Sequence, residues 1–85
     1  MIKITVKVGG MMCGMCEAHV NDAIRRALPV KKVTSNHRRL ETVILCEQDI
    51  PDESLEVTVK SSGYDFCGVT REEVKPGGLF GLFRK

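Results

Sequence analysis

Two cysteines and three methionines lie within eight residues near the start of the chain, in the stretch Gly9-Gly10-Met11-Met12-Cys13-Gly14-Met15-Cys16 (GGMMCGMC). Its two cysteines are separated by two residues, a spacing typical of metal-binding and redox-active thiols. The spacing of hydrophobic residues changes at this stretch. Before it they recur at every second residue, and after it they recur at the spacing of a helix. It therefore marks the junction between two elements of secondary structure.

The residues on either side of this junction predict a strand followed by a helix. From Ile2 to Val8, hydrophobic residues alternate with lysine and threonine, as in a half-buried strand. From Cys16 onward the hydrophobic residues recur at helical spacing, and Pro29 ends the helix after Leu28. A Cys-x-x-Cys at such a junction places Cys16 at a helix N-terminus, where unpaired N–H groups and the helix dipole favour a thiolate.

The rest of the chain predicts a hairpin, a further element and a final strand. The hairpin is expected from two runs rich in β-branched residues, 30–36 and 41–46, which flank a polar turn. Pro51 and the acidic residues after it are typical of a helix start. However, the alternation over residues 55–60 by itself indicates a strand. The final strand is predicted over residues 66–74.

Length and composition exclude several functional classes. A chain of 85 residues forms one domain at most, predicted over residues 1–75 with a C-terminal tail at 76–85. A net charge of +2 is too weak to indicate nucleic-acid binding. No run approaches the ~18 apolar residues that a membrane span needs, and no signal-peptide pattern is present. We therefore expect a cytoplasmic protein, in which four cysteines indicate metal or redox chemistry rather than disulfides.

Two closely spaced thiolates favour a soft cation, because the cation relieves their mutual repulsion. Thiolates are polarisable ligands that select Cu(I) first and Zn(II) after it. Two cysteines suit the low coordination number that Cu(I) accepts, whereas structural Zn(II) usually takes four ligands. The sequence contains no second Cys-x-x-Cys that could complete a zinc site.

The run from Gly10 to Cys16 resembles the Gly-Met-x-Cys-x-x-Cys signature of heavy-metal-associated domains, which occur in copper chaperones and in copper-transporting P-type ATPases. Leu55 and Gly63-Tyr64 resemble that family's second helix and the turn after it, so the resemblance extends over about residues 2–75. It implies an α+β, ferredoxin-like βαββαβ fold, with two helices on one face of a four-stranded antiparallel sheet. Residues 55–60 are accordingly predicted to be helical, because tertiary context often overrides local propensity.

The resemblance also implies roles for the residues around the loop. Cys13 and Cys16 would bind Cu(I) in an exposed loop and pass it to a partner by exchange of thiolate ligands. Met11 is expected to pack beneath the loop, and Tyr64 is expected to lie near the metal and shield the thiolates. The family more often carries threonine or small polar residues where this chain has Met12 and Met15, and the roles of these two stay open.

Two further side chains are candidate auxiliary ligands. Cys67 follows Tyr64 by three residues, and the alternative is that it is a structural thiol. His19 follows Cys16 by three residues and shares its helix face, and the alternative is that it is simply exposed. Cys46 is expected to be a structural thiol at the opposite end of the sheet. His37 is expected at the surface of the hairpin.

These expectations together predict a bacterial-type cytosolic copper chaperone, not an enzyme, that delivers Cu(I) to a copper-transporting P-type ATPase or to a copper-responsive repressor. Tyr64 favours the bacterial branch, because eukaryotic chaperones tend to carry lysine there. The loop lacks an aspartate before Cys13, which argues against the zinc, cadmium and lead branch. We expect a monomer without copper, and a copper-bridged dimer could form.

Three alternatives stay open. The chain could be a metal-binding domain of a copper-transporting P-type ATPase, although its initial methionine and basic end favour a complete small chaperone. It could also be a mercury-binding relative with the same fold, although such proteins tend to be exported. A small thiol-disulfide oxidoreductase is the third alternative, in which Ile50-Pro51 would have to supply a cis-proline facing the dithiol.

Overall fold

The structure is a computed structural model that describes residues 1–74. Its elements, in chain order, are β1 (Ile2–Gly9), α1 (Gly14–Ala27), β2 (Lys32–Asn36), β3 (Glu41–Cys46), α2 (Asp52–Ser61) and β4 (Asp65–Glu73). This order confirms the predicted βαββαβ fold. The predicted tail at 76–85 lies outside the described residues, so the domain boundary at residue 75 stays a prediction.

The four strands form one antiparallel sheet in the order β2-β3-β1-β4. Alternate residues of the central strand β1 are fully buried, as its period of two predicts. They share one core with buried residues of both helices, so both helices pack on the same face of the sheet. The side chains of this core that are completely removed from water include Ile4, Val6, Val8, Val20 and Leu55.

The helix over residues 55–60 shows how tertiary packing overrides a local pattern. Leu55 and Val59 are buried because they lie four residues apart on one face of α2. Val57, which lies between them in the alternating pattern, is 64% exposed. A strand would have placed all three on one side of the sheet, whereas the helix buries two of them against the core. The helical prediction is therefore confirmed.

The two ends of the sheet have different roles. At the loop end, where β1 ends and β4 begins, three connections meet: residues 10–13, residues 37–40 and residues 62–64. The hydrogen bond from the Val8 N–H to the Leu40 carbonyl, 2.9 Å long, holds the hairpin against β1 there. At the far end, where β1 begins and β3 ends, the chain enters α2. Both cysteines of the Cys-x-x-Cys lie at the loop end.

At the far end, an arginine that the sequence did not indicate joins α2 to the sheet. Arg71 on β4 donates from Nε to the Asp49 carboxylate at 2.7 Å and also pairs with Asp52 at the start of α2. These contacts tie the first turn of α2 to the sheet. Pro51 lies at the N-cap of this helix, and residues 1–74 contain no cis peptide bond. Pro51 therefore precedes the first turn of a helix, as the acidic residues after it predict.

Candidate metal centre

Cys13 and Cys16 both belong to the beginning of α1. Cys13 is its N-cap residue, with an extended backbone, and its carbonyl accepts hydrogen bonds from the N–H groups of Cys16 at 3.1 Å and Glu17 at 3.2 Å. The helix begins at Gly14, two residues earlier than the sequence reading placed it. Because the helix begins between the two cysteines, both sulfurs lie at the positive end of the helix dipole, where thiolates are stabilised.

The environment of Cys16 favours the thiolate form of its side chain. Its pKa is lowered from 9.0 to about 7, and the largest cause is hydrogen bonding from the Tyr64 hydroxyl. The backbone N–H of Met12 also stabilises the thiolate, with smaller contributions from Cys13, and partial burial opposes them. Near neutral pH a large fraction of Cys16 is therefore deprotonated, which is the form that binds metal ions.

Tyr64 reaches Cys16 because two glycines let the chain turn sharply at the loop end. Gly63, with φ +96°, ends α2, and the Tyr64 N–H bonds back to the Val59 carbonyl at 3.3 Å. Gly10 also has φ +96°, and a Cβ there would lie 3.5 Å from the Tyr64 ring. The hydrogen bond to Cys16 raises the pKa of the Tyr64 hydroxyl, because a proton held against the thiolate is harder to remove.

The sulfur-containing side chains of the loop differ in their exposure to solvent. Cys13 is exposed and Cys16 is half-buried. Met11 is only 4% exposed and packs into the core beneath the loop, whereas Met12 and Met15 are exposed. An incoming molecule would therefore meet Cys13 and the two exposed thioethers first, and Met11 would be out of its reach.

The two candidate auxiliary ligands do not join the cysteine pair in a ligand cluster. His19 is exposed on α1, and Cys67 is exposed at the point where β4 bulges against β1. The Cys67 sulfur lies 3.3 Å from the position that a Cβ on Gly9 would occupy, so it is at the loop end. Within residues 1–74, no group of three or more His, Cys, Asp or Glu side chains could hold a metal ion. Ligand roles for His19 and Cys67 stay predictions.

Cys46 lies at the far end and has a different environment. It is fully buried, its Sγ is 3.7 Å from the Ile2 carbonyl oxygen, and burial raises the pKa of its thiol. This placement agrees with the prediction of a structural thiol.

Glu17 and His37 form a contact that the sequence did not predict. The Glu17 carboxylate accepts a hydrogen bond from the His37 N–H at 2.8 Å and lies 2.7 Å from His37 Nδ1. These hydrogen bonds lower the pKa of the Glu17 carboxyl. His37 is half-buried by this contact rather than a free surface residue. Because Glu17 directly follows Cys16, the pair ties the cysteine-bearing turn of α1 to the β2–β3 hairpin.

Only the order of the helices and strands could have predicted this contact. Glu17 and His37 are 20 residues apart in the chain, so no local spacing links them. The βαββαβ order places the first turn of α1 and the tip of the β2–β3 hairpin at the same end of the sheet. A search of that end for complementary polar groups would have found the pair.

Comparisons with known proteins identify solved structures but no sequence family. No family model matches the chain, and no curated protein matches it. A copper-binding domain of HMA7, a P-type ATPase, aligns with a TM-score of 0.70 at 20% identity, covering 86% of this chain and 96% of that domain. The CopZ metallochaperone aligns with a TM-score of 0.69 at 20% identity, covering 76% and 98%. The N-terminal domain of ZntA in its Zn(II) form aligns with a TM-score of 0.68 at 24% identity, covering 87% and 96%.

These similarities concern the fold, which extends over nearly the whole of each compared domain. By name, the compared proteins are a copper-binding domain of a P-type ATPase, a metallochaperone and a domain in a Zn(II) form. No helix within residues 1–74 has the length and apolar character needed to cross a membrane.

Proposed function

We propose that this chain, which has the fold of a heavy-metal-associated domain, binds Cu(I) through the thiolates of Cys13 and Cys16. The observation that carries the proposal is the pair of cysteines at the start of α1, in which Cys13 is exposed and Cys16 is half-buried, with a pKa that Tyr64 lowers to about 7. Such a pair needs only the loss of its protons to present two soft, anionic ligands to a metal ion.

The donor set favours Cu(I) over Zn(II). Zinc in proteins usually takes four ligands, or three with a bound water. The described part of the chain offers no third His, Cys, Asp or Glu side chain in a cluster with the two cysteines. The ZntA domain is named for a Zn(II) form, so zinc binding is the competing outcome that an experiment has to test. Cu(I) accepts two thiolates, which is what the loop presents.

The exposure of the loop supports transfer of the ion to a partner by thiolate exchange. A partner thiolate can approach on the side of Cys13, because that sulfur is exposed to solvent. Each step forms one copper–sulfur bond to the partner and breaks one to the chain, and the copper stays Cu(I) throughout. Cys16 is released last in this scheme, because its half-buried sulfur is less accessible to the partner than the exposed sulfur of Cys13.

The function proposed for the protein is a cytoplasmic copper chaperone, with no catalytic step. Its acceptor would be a copper-transporting P-type ATPase or a copper-responsive repressor. The exposed Cys13 could also bind copper held by a second copy of the chain, which would give a copper-bridged dimer from an apo monomer.

A second candidate function is a metal-binding domain of a copper-transporting P-type ATPase. The similarity to the HMA7 domain favours it as much as the similarity to CopZ favours a chaperone. Both functions use the same loop, so they differ only in whether the chain works detached from a transporter. The oxidoreductase alternative lacks its cis-proline, because Pro51 begins α2 and no cis peptide bond occurs in residues 1–74.

The test of metal binding is an anaerobic competition of the reduced protein against chelators, with Cu(I) and Zn(II) measured separately. Replacing either cysteine of the pair, as Cys13→Ser or Cys16→Ser, should remove tight Cu(I) binding, because a single thiolate cannot hold the ion in two-coordinate form. The first replacement keeps α1 intact, since serine is a favoured N-cap residue. Retention of wild-type Cu(I) affinity in either variant would contradict the proposal.

The matched control is Cys67→Ser, which removes an exposed thiol at the same end of the sheet but outside the pair. The first Cu(I) should bind to this variant as it does to the wild type. A lower total of copper per chain in this variant would assign Cys67 to an auxiliary site. Transfer itself is tested by mixing the copper-loaded chain with the apo N-terminal domain of a copper-transporting ATPase and measuring the copper that each retains.

A further inference from the structure

Each cysteine of the metal loop is directly preceded by a methionine, in the pairs Met12-Cys13 and Met15-Cys16. Met12 is 80% exposed and Met15 is 81% exposed. Within residues 1–74 they are the two most exposed of the large hydrophobic side chains that the fold leaves in solvent. The most exposed apolar groups therefore lie at the one place where the chain already presents soft sulfur ligands.

Packing does not account for these two side chains. Burying a methionine side chain stabilises a fold through the hydrophobic effect, and neither Met12 nor Met15 obtains this stabilisation. Met11, the neighbour of Met12, has the packing role and is buried in the core. What the two exposed residues offer is a thioether, a soft and neutral sulfur ligand on a long unbranched side chain.

The backbone holds both methionines next to the cysteines in the chain. Met12 directly precedes Cys13, the N-cap residue of α1. Met15 lies in the first turn of α1, between the two cysteines. Both side chains are free to turn toward an ion held at the pair, because nothing in residues 1–74 covers them.

We propose that the thioethers of Met12 and Met15 form a second soft-metal site, a capture rim that binds Cu(I) weakly beside the cysteine pair. The inference rests on the proposed function for its biological purpose, but the rim uses its own ligands. In delivery from rim to pair, a copper–thioether bond breaks as a copper–thiolate bond forms, and any proton still on the cysteine passes to water. A thioether is a poor ligand for Zn(II), so the rim also discriminates between the two ions.

The test uses Ag(I), a redox-stable ion with the ligand preferences of Cu(I), and a chain labelled with ¹³C at the methionine methyl groups. In the double variant Cys13→Ser/Cys16→Ser, added Ag(I) should shift the methyl resonances of Met12 and Met15. The methyl of Met11 should not move, since it is buried, and it serves as an internal control. Met1, at the far end of the sheet, controls for binding to any accessible thioether. Zn(II) should move none of them.

The outcomes separate this inference from the proposed function. Shifts at Met12 and Met15 no larger than those at Met11 and Met1 would overturn the rim. The reciprocal variant, Met12→Leu/Met15→Leu, keeps two apolar side chains of similar size and should still bind one ion at the cysteine pair, but it should lose the additional weak Ag(I) binding of the wild type. If instead the wild-type cysteines bound no Cu(I) while the rim shifts persisted, the proposed function would fail and the rim would stand.

Discussion

Cys16 and Cys46 lie at opposite ends of the same sheet, and their pKa values are shifted in opposite directions. Cys16 is surrounded by hydrogen-bond donors at a helix N-terminus, which stabilise the thiolate. Cys46 is enclosed by the core, where burial disfavours the charged form. The same type of residue is thus a candidate metal ligand at the loop end and a buried apolar side chain at the far end. Its surroundings alone account for the difference.

The largest expected effect is a reciprocal change in two variants. Cys16→Ser should lower Cu(I) affinity by orders of magnitude with little change in folding stability, because the side chain is only half-buried at the edge of the core and serine has nearly the same size. Cys46→Ala should leave Cu(I) affinity intact but destabilise the fold by about 1 kcal/mol, the usual cost of removing one buried heavy atom. Chemical denaturation and copper competition on both variants check this. Copper loss in Cys46→Ala with an unchanged fold would break the comparison.

A smaller effect is expected from Tyr64→Phe, which removes the largest cause of the low Cys16 pKa. The pKa should rise from about 7 toward the ordinary thiol value. A rise of about one unit would reduce the thiolate fraction at pH 7 about fivefold. The rate of alkylation of Cys16 as a function of pH, in a background of Cys13→Ser/Cys67→Ser, measures this change. The same background with Tyr64 retained is the control, and identical pH profiles would show that Tyr64 does not stabilise the thiolate.

The sign of the accompanying stability change follows from the same shift. Because the folded-state pKa of Cys16 is lowered from 9.0 to about 7, its contribution to stability is fully present above pH 9 and is lost as the pH falls through 7. The metal-free wild type should therefore gain stability from pH 7 to pH 9. Tyr64→Phe should gain less over this window.

The smallest effect concerns the contact between Glu17 and His37. Glu17→Gln removes the charge but keeps an oxygen that can accept the His37 N–H. Because the pKa of Glu17 is lowered in the fold, its contribution to stability is present above the unfolded value of 4.5 and is lost as the pH falls through the folded value. The variant should therefore lose less stability than the wild type on acidification below pH 4.5, as followed by circular dichroism. Equal acid sensitivity in both proteins would assign no stabilising role to the charge.

The identity of the loop could be predicted because its information is local. The spacing of Cys13 and Cys16, the alternation of β1 and the helical period of α1 all lie within the first 28 residues. The sequence predicts the beginning of α1 two residues too late, because Gly14 is unfavourable in a helix and the helical spacing of hydrophobic residues starts only at Cys16. The helix over residues 55–60 required the resemblance, since its local pattern indicated a strand.

The sequence by itself determined which atoms could bind a soft metal, because ligand chemistry depends on residue type and spacing. Only the tertiary structure decided how those atoms behave. It brought the Tyr64 hydroxyl to Cys16, joined Glu17 to His37 and buried Met11 while leaving Met12 exposed. Each of these outcomes depends on burial, or on contact between residues that are far apart in the chain. Such contacts form only when the sheet and helices pack, so no local pattern in the sequence carries them.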